Sequence, residues 1–185
     1  MLEFVEANKI FWRKGLDFKG RARRSEYWWG YLVYYMITTI WSALAGIIAF
    51  AVNIQHFDEM LVDDMAMMSR FLPVFLIALI PLIAVIVPVY AAQTRRLHDV
   101  GRSGWWIVIS LIPLLFCLAT MFFFLDAYTS EDTTMLAVIV ISMLLSAALA
   151  VILSIVILVF TLQDSKPEEN EYGPSPKYYY GTEYK

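Results

Sequence analysis

Four apolar runs, each free of acidic and basic side chains, constrain this chain more than anything else in it. They are Tyr27 to Val52, Phe71 to Ala92, Trp105 to Leu125 and Met135 to Leu162, and none holds Asp, Glu, Lys, Arg or His. A helix crosses a hydrocarbon core with about 20 apolar residues, and each run reaches that length. The 185 residues are 60% hydrophobic, where a soluble domain is about half apolar. The pattern predicts an all-α fold: a four-span transmembrane helix bundle with an N-terminal in-plane amphipathic helix. Its parts are a cytoplasmic amphipathic and basic segment over 1–26, the transmembrane domain over 27–162 and a cytoplasmic tail over 163–185. No short apolar region with a small-residue cleavage site precedes the first run, so that run is expected to stay as an anchor.

Orientation follows from where the bases sit. Lys9, Arg13, Lys14, Lys19, Arg21, Arg23 and Arg24 precede the first run. The first loop has Arg70 against Asp58, Glu59, Asp63 and Asp64; the second has Arg95, Arg96 and Arg102. The third, Asp126 to Thr134, has no base, and the tail has Lys166, Lys177 and Lys185. This alternation predicts both termini on the cytoplasmic side. Pro81 and Pro88 are expected to kink the second span, with neighbouring groups satisfying the freed carbonyls.

Before the first run, Leu2, Phe4, Val5, Phe11, Trp12 and Leu16 share one side of a helical wheel, with Asn8 as the exception. Glu3, Glu6, Arg13 and Lys14 share the other. Such a helix lies in the headgroup layer and should end or bend at Gly15 or Gly20. Within the bundle, Ser142, Ser146, Ala150 and Ser154 recur every four residues, and Ser42 and Gly46 repeat the spacing. Small faces of this kind mark helix contacts in lipid.

The polar stretch from Arg95 to Ser103 reads as a short loop between two spans, closed by Trp105 and Trp106 at the interface. Its bases, with Arg21, Arg23 and Arg24, form one Arg-bearing face. Arg21, Arg23, Arg24, Arg95, Arg96 and Arg102 are candidates for binding anionic lipid or a small anion, since guanidinium suits phosphate and carboxylate. Glu26, His98 and Asp99 are candidates for a structural network that ties the strips together. His98 lacks the nucleophile and electrostatic stabiliser that a general base needs. It is therefore read as a hydrogen-bonding loop residue, and no catalytic residue is assigned. Gly101 and Gly104 permit a tight turn with positive backbone angles, and a nest of N–H groups for an anion is one reading of that turn.

No metal site and no cofactor are expected. The single Cys117 lies in an apolar run and reads as a small buried hydrophobe. Met60, Met65, Met67 and Met68 in the first loop read as packing residues rather than soft metal ligands. The tail, with Pro167, Pro174 and Pro176 among acids and tyrosines, is expected to be extended. Its acids Glu168, Glu169 and Glu171 are expected to dock on the Arg clusters.

Three of these stretches resemble a known family. Phe18-Lys19-Gly20-Arg21-Ala22-Arg23-Arg24-Ser25-Glu26-Tyr27-Trp28 is similar to its N-terminal motif. Arg95-Arg96-Leu97-His98-Asp99-Val100-Gly101-Arg102-Ser103-Gly104-Trp105 is similar to its central motif, and Asn170-Glu171-Tyr172-Gly173-Pro174-Ser175-Pro176 to its closing one. The family is the bacterial inner-membrane family of domain of unknown function 805. The chain departs from it in a larger fourth span and in Tyr178-Tyr179-Tyr180. The resemblance implies a bacterial cytoplasmic-membrane protein and lends no catalytic residue. The reading is a non-enzymatic integral membrane protein whose Arg-rich face binds anionic lipid, a small anion or a protein partner. The alternatives are a small transporter or channel, and then a membrane enzyme acting on lipid-linked phosphate. Expected partners are the bilayer and anionic headgroups, with a second copy of the chain or another membrane protein left open, and no nucleic acid.

Overall fold

The computed structural model describes residues 3–53, 64–129 and 133–178. Among them lie five α-helices and no strand: α1 (Phe4–Arg13), α2 (Arg24–Asn53), α3 (Asp64–Asp99), α4 (Trp105–Thr129) and α5 (Thr133–Leu162). His56, Met60, Asp58, Glu59 and Asp63 of the first loop lie outside the described residues, as do Leu2, Tyr179, Tyr180, Tyr184 and Lys185. The four apolar runs fall inside α2 to α5, but the helices are longer than the runs. α3 takes in Met65, Met67 and Met68 at one end and Gln93 to Asp99 at the other. Only Val100 to Ser103 of the stretch read as a loop leave the helix; Arg95 to Asp99 continue it. Nothing between Ala92 and Asp99 breaks a helix, and the first glycine is Gly101. The helix assignment also runs unbroken through Pro73, Pro81 and Pro88.

Among the described residues two helices are long and apolar enough to cross a membrane, Arg24–Ala51 and Thr133–Leu162, and Trp105–Met121 is a shorter apolar helix. Their outer side chains are bare. Ile40, Leu44, Ile47 and Phe50 of α2 and Leu144, Leu145, Val151 and Ile152 of α5 are all exposed. In water, apolar surface this continuous marks a contact face; in lipid it needs no cover.

The chain divides into two compact units, Met1–Phe18 with Ser25–Ala92 and Lys19–Arg24 with Gln93–Lys185. In the first, Phe11, Tyr27, Val89 and Ala92 form a small core, with Trp28 and Tyr34 against it. α1 has Glu6 in its first turn and Arg13 in its last, both favourable to the helix dipole. It ends one residue before Lys14 and well short of Gly20, where the backbone turns at φ 78°. Its apolar residues do not form a single stripe. Ala7, Ile10 and Phe11 are buried, whereas Phe4, Val5, Trp12 and, just beyond, Leu16 are exposed. Phe11 thus belongs to a packing face, and Phe4, Val5, Trp12 and Leu16 to a second, bare face. The Phe11 ring sits where Gly30 has no side chain: a Cβ there would fall 2.2 Å from its Cδ2. Gly30→Ala should therefore push the ring out and destabilise the fold by about 1–3 kcal/mol, the usual cost of overpacking. The pair Gly30→Ala with Phe11→Ala should be less than additive in thermal melts, because the ring to be displaced is gone.

In the second unit α4 packs on α5. Ser146 is buried and donates to the Pro113 carbonyl at 3.1 Å. Trp106 meets Phe160 edge-on at 5.2 Å. The contact face of α5 follows Ile139, Ser146, Ile157 and Thr161, all buried, so it crosses the Ser142–Ser154 row at Ser146 instead of following it. Ser154 is exposed and bonds its own helix at Ala150. On α2, a Cβ added to Gly46 would meet nothing within 4 Å among the described residues, so among these Gly46 makes no close helix contact of the kind expected.

Candidate functional site: a buried arginine–aspartate knot

The polar centre of the second unit forms where α3 stops. Gly101 takes φ 71°, and its N–H donates to the His98 carbonyl at 3.0 Å while Arg102 N–H donates to Leu97 at 2.8 Å. This pair of bonds is the Schellman closure, which favours glycine at the left-handed position. The next helix is capped by Ser103, whose Oγ accepts from Trp105 N–H at 3.3 Å. Gly104 is needed for closeness rather than for its backbone angle: a Cβ there would lie 2.8 Å from Cγ2 of Thr94. The N–H groups of Val100, Gly101, Arg102 and Trp105 are thus all spent inside the turn, so they are not free to form the expected anion nest.

Asp99, the last residue of α3, is the hub. Its Oδ1 accepts from Arg21 Nε at 3.0 Å, and its Oδ2 accepts from Arg96 Nη1 and from Ser165 Oγ. Its carbonyl accepts from Arg21 Nη2 at 3.1 Å and from the Lys166 N–H at 3.2 Å. The remaining guanidinium donors go to main-chain carbonyls. Arg21 reaches Glu168 at 2.8 Å, Gly173 at 3.2 Å and Lys166. Arg96 reaches Thr161 at 3.1 Å, Ala22 at 3.5 Å and Gln163. A buried charge is tolerable when it is paired and hydrogen-bonded; Arg21 makes five such bonds and Arg96 four. Burial pushes the Arg96 guanidinium down to about 10, with Asp99 holding it up against that effect; it stays charged at neutral pH.

The tail does not run free. It closes over the knot, and its backbone carbonyls make the bonds expected of its acids. Glu168, Glu169 and Glu171 are exposed. Asn170 and Gly173 bond each other's main chain at 2.9 and 3.3 Å, with Gly173 at φ 107°. Asn170 also braces the turn by accepting from Tyr172 N–H at 2.9 Å and donating to the His98 carbonyl at 2.9 Å. Tyr172 then lies flat on the His98 ring, centroids 3.7 Å apart and planes 1° from parallel.

His98 Nδ1 lies 3.1 Å from the Gly20 carbonyl, so Nδ1 carries the proton and Nε2 the lone pair. Burial holds this imidazole below its ordinary value, partly offset by the Gly20 bond and the Glu171 charge. The sign follows: the unfolded chain takes up the proton first as pH falls. His98 therefore contributes fully above about pH 6.5, and its contribution fades as pH drops towards the lower folded-state value. Thermal melts of the wild type should fall more steeply below that pH than those of His98→Asn; parallel curves would count against it.

The six candidate arginines separate by burial. Arg21, Arg95 and Arg96 are buried. Arg23 is half-buried and donates to the Pro176 carbonyl. Arg24 is exposed and bonds the Leu162 carbonyl at 3.2 Å and Asp164 at 3.1 Å. Asp164 also receives Lys177, whose hydrogen bond, ahead of the Ser165 N–H, holds its carboxyl below the usual range. Arg102 is exposed, with its guanidinium 4.9 Å above the Phe160 ring. Glu26 is buried in the first unit. Ser165, Asn170, Tyr172 and the carbonyls of the tail are the participants that side-chain charge could not reveal. Among the described residues no group of three His, Cys, Asp or Glu is placed to hold a metal ion.

The chain is 28% identical to the inner membrane protein YhaH of Escherichia coli K12 over 162 residues, covering 88% of each chain. It is 31% identical to the inner membrane protein YhaI of the same strain over 115 residues, 62% of this chain and 79% of YhaI. No solved structure matches it. The family model described as a protein of unknown function, DUF805, matches residues 15–174, a span that holds the whole knot. The chain belongs to that DUF805 family.

Proposed function

We propose that this is a four-span protein of the bacterial inner membrane with both termini cytoplasmic, acting without catalysis through an Arg-bearing cytoplasmic face. One observation supports the topology best. Arg21 and Ala22, the end of α3 from Arg95 to Asp99, and the tail from Gln163 to Gly173 bond one another directly. Such groups must lie on one side of a bilayer. The apolar chain from Tyr27 to Ala92 must then leave and return, as must that from Trp105 to Leu162. With two apolar runs in each half, this supports two crossings in each, four in all. The positive strips put that side in the cytoplasm.

On this reading the buried arginines hold the strips together and the exposed ones meet anionic partners. The spans 27–52, 71–92, 105–125 and 135–162 contain no Asp, Glu, Lys, Arg or His, which weighs against an ion or proton pathway through one copy. The test is accessibility. In a Cys117→Ala background, cysteines at Glu169 and at Ser130 are treated with a membrane-impermeant maleimide in intact cells. Ser130→Cys should react once the outer membrane is permeabilised, and Glu169→Cys only after the inner membrane is opened. Labelling at 169 in sealed cells removes the proposal.

A further inference from the structure

Most arginines of the cytoplasmic face are engaged by the protein itself, through carbonyls or carboxylates. Arg102 differs. Among the described residues its guanidinium makes one contact, with the face of Phe160, two residues from the end of α5. The other exposed cation beside it is Lys166. A Cβ on Gly101, the residue before Arg102, would fall 2.7 Å from the Lys166 Nζ. Below this pair the surface turns apolar at once. Trp105 is 69% exposed, and Val108, Ile109 and Ile112 continue from it down α4 as exposed side chains. The spacing of three and four keeps them on one face of the helix.

Two cations at the residues that lead into α4, followed on that helix by an exposed tryptophan and an aliphatic stripe, match the chemistry of a phospholipid. The phosphate suits the charges, the glycerol region suits the indole and an acyl chain suits the stripe. The guanidinium of Arg102 lies over the face of the Phe160 ring, a cation–π contact that leaves the side chain exposed to an anion. We propose that Arg102 and Lys166 hold the headgroup phosphate of an anionic phospholipid whose acyl chain lies along Trp105, Val108 and Ile112. The proposal rests on the membrane reading above and selects, from the Arg-bearing face, the site that lipid uses.

Native mass spectrometry of the purified full-length protein, in neutral detergent doped with equal phosphatidylglycerol and phosphatidylcholine, tests it. Wild type should retain phosphatidylglycerol in preference. Each of Arg102→Gln and Lys166→Gln should cut that preference roughly fivefold, from about 1 kcal/mol for each surface cation near anionic lipid. Both side chains are exposed, and thermal melts of each variant separate loss of the Phe160 contact from loss of lipid. A double variant with undiminished preference overturns the site. Displacement of the lipid by soluble glycerol phosphate at equal concentration would show a free-phosphate site and overturns the lipid assignment. Failure of the membrane reading shows separately, as protein released by carbonate washing without detergent.

Discussion

Asp99→Asn should destabilise this protein by about 3–5 kcal/mol, the range for removing one partner of a buried ion pair. The amide keeps the volume of the carboxylate but removes the charge between two guanidinium groups. The side chains of Arg21 and Asp99 are 1% and 0% exposed, so water cannot take over as counter-solvent without opening the knot. The amide nitrogen would also present donors to Arg21, Arg96 or Ser165, all of which donate to this residue. Thermal melting in mild detergent is the measurement, with Asp164→Asn as the comparison. Asp164 also bonds two cations, Arg24 and Lys177, but it is exposed, and its loss should be nearly silent. Arg21→Lys should fall between the two. A lysine keeps the charge, but its three donors cannot replace a guanidinium that reaches five acceptors. An Asp99→Asn protein that melts with the wild type would mean that the carbonyls alone carry the knot.

The helical content is readable because apolar helices are written in composition: the four runs without a charge all fall within long helices. Their ends were less readable. The segment Gln93 to Asp99 is polar, and polarity alone suggested a loop. The deciding signal was the Gly101 stop, which lets Arg95, Arg96 and Asp99 occupy the last turns of α3. α1 was read as one apolar stripe because Phe11 and Trp12 are neighbours in sequence. The missing side chain of Gly30 draws Phe11 to one face and leaves Trp12 on another, a contact that no local pattern contains.

The site shows the same division. Arg21, Arg96, Asp99 and His98 stood out by charge, and the structure brings them together. What covers them did not stand out, because the tail acts through main-chain carbonyls that every residue possesses. Its composition suggested a chain too polar to pack, yet it needs no apolar core. It is fixed by the Asn170 turn, by Gly173 in the left-handed region and by Tyr172 on His98. A motif of the form Asn-Glu-Tyr-Gly is the trace of that requirement in the sequence.

Ending the chain at Gln163 should therefore cost about 3–5 kcal/mol, although Asp99, the carboxylate that pairs with Arg21 and Arg96, stays in place. Arg21 would lose the carbonyls of Lys166, Glu168 and Gly173, Asp99 would lose Ser165, and His98 would lose the Tyr172 ring. Bonds to a charged group contribute about 1.5–3 kcal/mol each, and water admitted to the exposed face recovers only part of their sum. The contrasting change is Glu168→Gln with Glu169→Gln and Glu171→Gln, which removes three tail charges and keeps every carbonyl. If the carboxylates held the tail, this triple variant would behave like the truncation. If the main chain holds it, the triple variant should melt close to wild type and keep the 163–178 segment protected from added protease, whereas the truncated chain unfolds at lower temperature. Protease protection lost in the triple variant would show that charge attraction, and not the carbonyl bonds, closes the tail over Asp99.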